Sequence, residues 1–176
     1  MIHDRKFLVS VCIFSAVFAL SGCNQEVAAP PGQQPKPEIT FHPCDGLPPD
    51  AIRAVGLDVR PPERDDTDNP RALGCGYLSN DPNYGITVAA RAETFEDIES
   101  SDRFDVLSET EIGGRRALVS DFRGGSACTV SVAIEPGILE FMIGYSELED
   151  FTTVDAACDQ ATKVATTLAP YFPDHL

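Results

Sequence analysis

The sequence is poor in the groups that most chemistry requires. It has only 3 histidines, and only 13 Lys+Arg against 28 Asp+Glu among its 176 residues, for a net charge of −15. Too few bases argues against nucleic acid, because phosphate binding needs Lys and Arg to displace counterions. It also argues against direct docking on an anionic membrane surface. There is no Cys-x-x-Cys pair, no Gly-x-Ser-x-Gly elbow and no Gly-Lys-Ser/Thr phosphate loop. Downstream of residue 20 no apolar run approaches the ~20 residues that a membrane-crossing helix needs. The length is room for one modest domain. With 43% apolar and 23% charged residues, wholesale disorder is excluded.

What is present begins at the N-terminus. Arg5 and Lys6 form a short basic head, and Phe7 to Leu20 carries no charge. That run is too short to span a bilayer and reads as the apolar region of a signal peptide over 1–22. No Arg-Arg pair points to twin-arginine export. Leu20-Ser21-Gly22-Cys23 resembles the bacterial lipobox. The resemblance implies cleavage before Cys23 and acylation of that cysteine, palmitate being the kind of chain expected. Two or more acyl chains hold a protein stably at a bilayer, where one alone is marginal. The expected location is therefore the cell membrane, lipid-anchored and facing outside the cytoplasm. Residues 23–40, with Pro30, Pro31, Pro35 and Pro37, are expected to form an extended, semi-stiff linker.

Cleavage would leave 27 acids and 11 bases, net −16. The plain reading of that acidity is solubility near a crowded envelope; a basic partner is the sharper one. Four cysteines remain besides Cys23: Cys44, Cys75, Cys128 and Cys158. An even number in an exported chain implies two disulfides, for which three pairings exist. Cys44–Cys75 with Cys128–Cys158 is the expected pairing, because it closes two short loops of similar length. A metal site is not expected, since the mature chain keeps only His42 and His175.

The domain at 41–176 reads as α+β. Pro48 and Pro49 open a short helix that Gly56 stops. Residues 58–71 are charged, Pro-punctuated loop. Leu73–Leu78 is a strand, and Tyr84, Ile86, Val88 and Ala90 alternate in a second. Thr94 caps a helix that turns Phe95 and Ile98 inward. Ile112–Arg116 is a turn leading to a strand over 117–122. Cys128, Val130, Val132 and Ile134 alternate, with Thr129, Ser131, Ala133 and Glu135 facing the other way. Leu139, Phe141, Ile143 and Tyr145 resume the pattern beyond a Pro136-Gly137 turn. Thr152 or Thr153 caps a last helix with Val154, Ala157, Cys158, Ala161, Val164, Ala165 and Leu168 on one face, ended by Pro170. An antiparallel sheet packed on that C-terminal helix, with short extra helices and two disulfides, is the expected fold. It would set Cys158 over Cys128.

These residues resemble a known family. Phe41-His42-Pro43-Cys44, Gly56-Leu57, Gly74-Cys75-Gly76-Tyr77, Ile112-Gly113-Gly114-Arg115-Arg116-Ala117, Ala127-Cys128-Thr129-Val130 and Ala157-Cys158 look like actinobacterial lipoproteins carrying domain of unknown function (DUF) 3558. The family often has Trp two residues after the second cysteine; Tyr77 stands there. The resemblance implies a cell-envelope lipoprotein and no assigned activity. The layout is also distantly similar to extracellular sensor domains of mycobacterial receptor kinases, at the level of fold alone.

No catalytic set emerges. A Ser-His-Asp or Cys-His arrangement needs a histidine on the scaffold; His42 reads as a cap at the domain edge and His175 is penultimate. Gly124-Gly125-Ser126 reads as a hairpin turn. Asp65-Asp66-Thr67-Asp68-Asn69 offers oxygen ligands for calcium but lacks the Gly and the distant Glu of a calcium loop, and reads as solvated. Glu93, Glu96, Asp97, Glu99, Asp102 and Asp105 read as a solvated face, with docking of a basic partner as the alternative. Arg115 and Arg116 should point to opposite faces of a strand. The expected function is a membrane-anchored, non-catalytic domain binding an envelope protein or small ligand, with no cofactor and no nucleic acid. The alternative is a lipid or glycolipid carrier, with Phe141, Met142, Ile143 and Tyr145 lining a cavity between sheet and helix. A carboxylate-pair enzyme has no pair the sequence singles out.

Overall fold

The computed structural model describes residues 37–68, 71–147 and 150–176. The signal peptide, Cys23, the linker up to residue 36 and Asn69 lie outside the described residues. Two short helices come first, α1 (Pro43–Gly46) and α2 (Pro49–Ala54). Proline suits their first turns, where its missing N–H satisfies no helical bond anyway. The 58–71 segment is not wholly loop: β1 (Glu63–Arg64) and β2 (Thr67–Asp68) each add a short ladder to β3 (Arg71–Asn80). Then follow β4 (Asn83–Arg91), α3 (Phe95–Glu99), β5 (Phe104–Ile112), β6 (Arg115–Phe122), β7 (Ala127–Ile134), β8 (Gly137–Gly144) and α4 (Val154–Leu168). A 3-10 turn, Ala169–Tyr171, follows α4 and contains Pro170.

The strands form one sheet in the order β1-β3-β4-β8-β7-β6-β5, with β2 also on β3. Every neighbouring pair is antiparallel. Two-residue loops set the hairpin registers. Gly113 and Gly114 join β5 to β6 with φ of +59° and +76°, the mirror-image turn that matches strand twist and that glycine alone adopts without strain. Arg115 and Arg116 thus already belong to the strand. Asp81-Pro82 and Glu135-Pro136 close the β3–β4 and β7–β8 hairpins through cis peptide bonds. The second of these turns sits one residue before the expected Pro136-Gly137.

One face of the sheet carries the main core. Val130, Val132, Leu139, Phe141 and Ile143 meet Ala157, Ala161, Val164, Ala165 and Leu168 of α4, all fully buried. Thr153 caps α4, its side chain accepting from the Ala156 N–H. Each large apolar side chain so buried contributes about 1.5–3 kcal/mol relative to exposure. Ile39, Leu47, Ile52 and Leu57 extend this core toward α1 and α2. Cys128 and Cys158 form a disulfide, Cα–Cα 5.2 Å, that ties α4 to the sheet. Cys44 and Cys75 form a second, Cα–Cα 5.3 Å, that ties α1 to β3.

The opposite face is not left to water. Thr129 and Ser131, expected on the face turned away from the apolar stripe, are buried, and so is Glu140. A smaller cluster of Phe95, Ile98, Phe104, Leu118 and Ile138 covers part of that face. Thr94 and Asp97 form a reciprocal capping box that holds α3 in place over it.

Candidate functional site

An apolar concavity lies beside the Cys44–Cys75 disulfide. It is a cleft of about 430 Å³ whose lining includes Leu47, Ile52, Leu57, Val59, Pro61 and Tyr77. That volume is in the range of small-ligand sites, which combine apolar walls with a few placed polar groups. The walls come from α1, α2 and the segment after α2, which Gly56 (φ +72°) turns back toward β3. There Asp58 bridges Leu78 in parallel. At the rim Arg53 bonds Asp50 (2.7 Å) and Asp58 (3.2 Å), and Arg60 pairs with Glu63 (3.1 Å). Each rim arginine is paired, and three carboxylates against two arginines leave the rim one net negative charge.

α1 is held by its cap. The His42 Nδ1 accepts from the Cys44 N–H (3.1 Å), and Nε2 lies 3.0 Å from Asp66 Oδ1. That carboxylate also accepts from the Gly74 N–H (3.1 Å). His42 therefore positions backbone, and Asp66, a member of the candidate calcium loop, anchors it. Among the described residues no group of three or more His, Cys, Asp or Glu side chains is set to hold a metal ion.

The chain matches the family model described as "Protein of unknown function (DUF3558)" over residues 18–171. The chain belongs to the DUF3558 family. No curated protein and no solved structure matches it. In this DUF3558 domain the aromatic after the second cysteine, Tyr77, stands in the cleft wall and donates its hydroxyl to the Pro43 carbonyl (3.1 Å). Burial first, and the nearby Asp45 charge second, push the phenol up to about 12.

A pH dependence follows from Tyr77. The folded state favours the neutral phenol, so its contribution is complete below the free-tyrosine value of about 10 and is lost as pH rises toward 12. A spectroscopic phenolate titration should show a tyrosine ionising near 12 that Tyr77→Phe removes. The unfolding midpoint of Tyr77→Phe should fall less steeply between pH 10 and 12 than that of the parent. A Tyr77 that titrates as a free phenol would contradict the buried bond.

On the other sheet face lies a charged cluster that the sequence did not disclose. Arg91 of β4 bonds Glu93 (2.6 and 2.8 Å) and Glu140 of β8 (3.3 Å), while Arg103 bonds the other oxygen of Glu93. Glu93 is thus not part of a solvated acidic face. Glu140 is only 4% exposed. Burial raises its carboxyl pKa, and Arg91 opposes that shift. Its Oε2, like Ser120 Oγ and Ser131 Oγ, has no hydrogen-bond partner among the described residues. A pocket of about 120 Å³ adjoins it.

The remaining candidates are placed apart. Arg115 donates to the Pro173 carbonyl (3.0 Å), whereas Arg116 lies over the Phe95 ring (4.1 Å to its centre) and bonds Glu109 (2.9 Å). They point to opposite faces, as alternation requires. Gly124 and Gly125 both have positive φ, and Ser126 sits in that turn. Phe141 and Ile143 belong to the closed core. Tyr145 instead bonds Asp121 (2.9 Å).

Proposed function

We propose that this DUF3558 protein is a cell-envelope lipoprotein. Its signal peptide is removed before Cys23, the cysteine is acylated, and the domain is displayed outside the cytoplasm as a binding module rather than an enzyme. One observation carries the reading. The four cysteines of the fold consume one another in two disulfides, so the fold makes no claim on Cys23, which ends a lipobox-like tetrapeptide. Two disulfides also fit an oxidising compartment. The family match begins at residue 18 and takes in Leu20-Ser21-Gly22-Cys23. Among the described residues no helix is long and apolar enough to cross a membrane.

Binding is favoured over catalysis because the histidine nearest the site is spent on capping. The cleft, by contrast, is apolar, sized for a ligand and edged by paired arginines. An envelope protein or a small ligand with an apolar body is the fitting class of occupant. The carrier reading puts its ligand between sheet and α4, where Val130, Phe141, Ala161 and Leu168 pack together. The cleft therefore supports binding at a different place.

Mass spectrometry of detergent-extracted protein, run with and without reduction, tests the proposal. The expected mass is that of the chain from Cys23 plus acyl groups, gaining four hydrogens when the two disulfides are reduced. An intact N-terminus or an unacylated Cys23 would overturn the anchor. Cys23→Ser should release the protein into the aqueous phase.

A further inference from the structure

We propose that the free edge of β5, with the groove between it and α4, is a docking site for an extended, positively charged segment of a partner protein, which joins the sheet as an added strand. This goes beyond the anchor and the cleft and uses neither.

Among the described residues β5 ends the sheet and pairs with β6 alone. All seven residues between its buried ends are exposed. Val106 and Leu107 are 42% and 49% exposed, neighbours among the few large apolar side chains left in water. The register with β6 slips between Val106 and Ser108, a bulge that leaves Leu107 unpaired at the edge. Such an edge presents a row of unused N–H and C=O groups, the template for strand addition.

The groove beside it decides the charge of the occupant. It measures about 500 Å³, with Ser108, Thr110 and Val119 from β5 and β6 facing Asp155 and Asp159 of α4. The two aspartates stand one helical turn apart and repel each other. Both are exposed, and neither has an ion-pair partner among the described residues. By contrast Asp105 and Glu109, on β5 itself, are neutralised by Arg123 (2.8 Å) and Arg116 (2.9 Å). Glu111 of β5 also lacks an ion-pair partner among the described residues, and Asp155 and Asp159 put two further uncompensated charges at the groove. An incoming strand sends alternate side chains into the groove at about 6.6–6.8 Å spacing, close to the ~6 Å rise between aspartates four residues apart. A Lys-x-Lys or Arg-x-Arg pattern meets both. A second copy fits less well, because it would bring further acid, its unpaired Glu111 included, rather than cations to the groove, in a chain of net charge −15.

The test uses the purified chain and three synthetic peptides matching the nine residues of β5: Lys alternating with Thr, Glu alternating with Thr, and Lys alternating with Pro. Anisotropy titrations at rising salt are paired with amide hydrogen exchange. The Lys-Thr peptide should bind, weaken with salt and slow exchange across residues 105–111. The Glu-Thr peptide should not bind, and the Lys-Pro peptide should leave β5 exchange unchanged. Asp155→Asn with Asp159→Asn should weaken Lys-Thr binding about tenfold, while the parent fold is checked by its unfolding midpoint. No binding, binding without protection of β5, or affinity indifferent to the two aspartates would overturn the proposal. So would self-association of the free chain through β5.

Discussion

Replacing Cys128 and Cys158 together by alanine is expected to destabilise the domain by about 3–4 kcal/mol, the loop-entropy value for a closed loop of 30 residues. For a domain of this size that lowers the unfolding midpoint by roughly 10 °C. The cost falls on the joint between the two layers. Cys128 is a fully buried residue of β7, a central strand, and Cys158 lies on the buried stripe of α4. Without the bond α4 keeps its apolar stripe, which is largely alanine, and the Gln160–Tyr84 hydrogen bond (2.8 Å). The Cys44–Cys75 loop is nearly the same length, so its chain-entropy term is equal. Its loss should act differently, because α1 has four residues and lies at the margin of the core. Urea unfolding of both double variants separates the two. The first should lose stability globally. The second should in addition raise amide exchange selectively around the cleft, in α1 and the segment after α2. If Cys128→Ala with Cys158→Ala left the midpoint unchanged, the packing of α4 would not depend on its staple.

Parts of this architecture were legible because one side of an element is buried and the other is not. β7 and β8 alternate cleanly toward α4, and α4 repeats its small apolar residues at helical spacing. The cysteine pairing follows once those two elements face each other. Thr94 announces α3 through its own side-chain chemistry. β5 was illegible for the opposite reason. It is exposed on both faces, so Asp105–Glu111 shows no alternation, and only the ladder from β6 makes it a strand. Alternation also told which residues share a face without telling what covers it. Thr129 and Ser131 alternate away from the apolar stripe, and α3 and its neighbours close over that side of the sheet, burying Glu140 with them. The cleft draws on Leu47, Leu57, Val59 and Tyr77, which no local period connects. Only the position of Tyr77 after Cys75 marked it in advance.

Arg91→Met is expected to destabilise the fold by about 3 kcal/mol at neutral pH, with most of that loss recovered in acid. The reason is Glu140. Its carboxyl is almost sealed from water, its Oε1 rests on Arg91 (3.3 Å), and its Oε2 has no partner among the described residues. Removing one member of a buried ion pair leaves an uncompensated charge, typically a 3–5 kcal/mol penalty. The low end applies because Arg91 keeps some exposure. Glu93 retains Arg103, so the orphaned charge is chiefly that of Glu140. The sign with pH follows from the raised carboxyl. A group whose folded pKa lies above its unfolded value holds its proton more tightly in the native state. Its stabilising share is complete below the ordinary carboxylate range and is lost as pH rises through the folded value. Taking away Arg91 removes the main influence that lowers that pKa, so the loss moves to higher pH and deepens at neutrality. Glu140→Gln in the Arg91→Met background deletes the charge and should restore most of the stability at neutral pH. Urea unfolding of the parent, both single variants and the double variant, at neutral and at mildly acid pH, completes the cycle. A penalty that stayed constant with pH, or survived Glu140→Gln, would locate the cost in lost packing of the arginine stem instead of in the buried carboxylate.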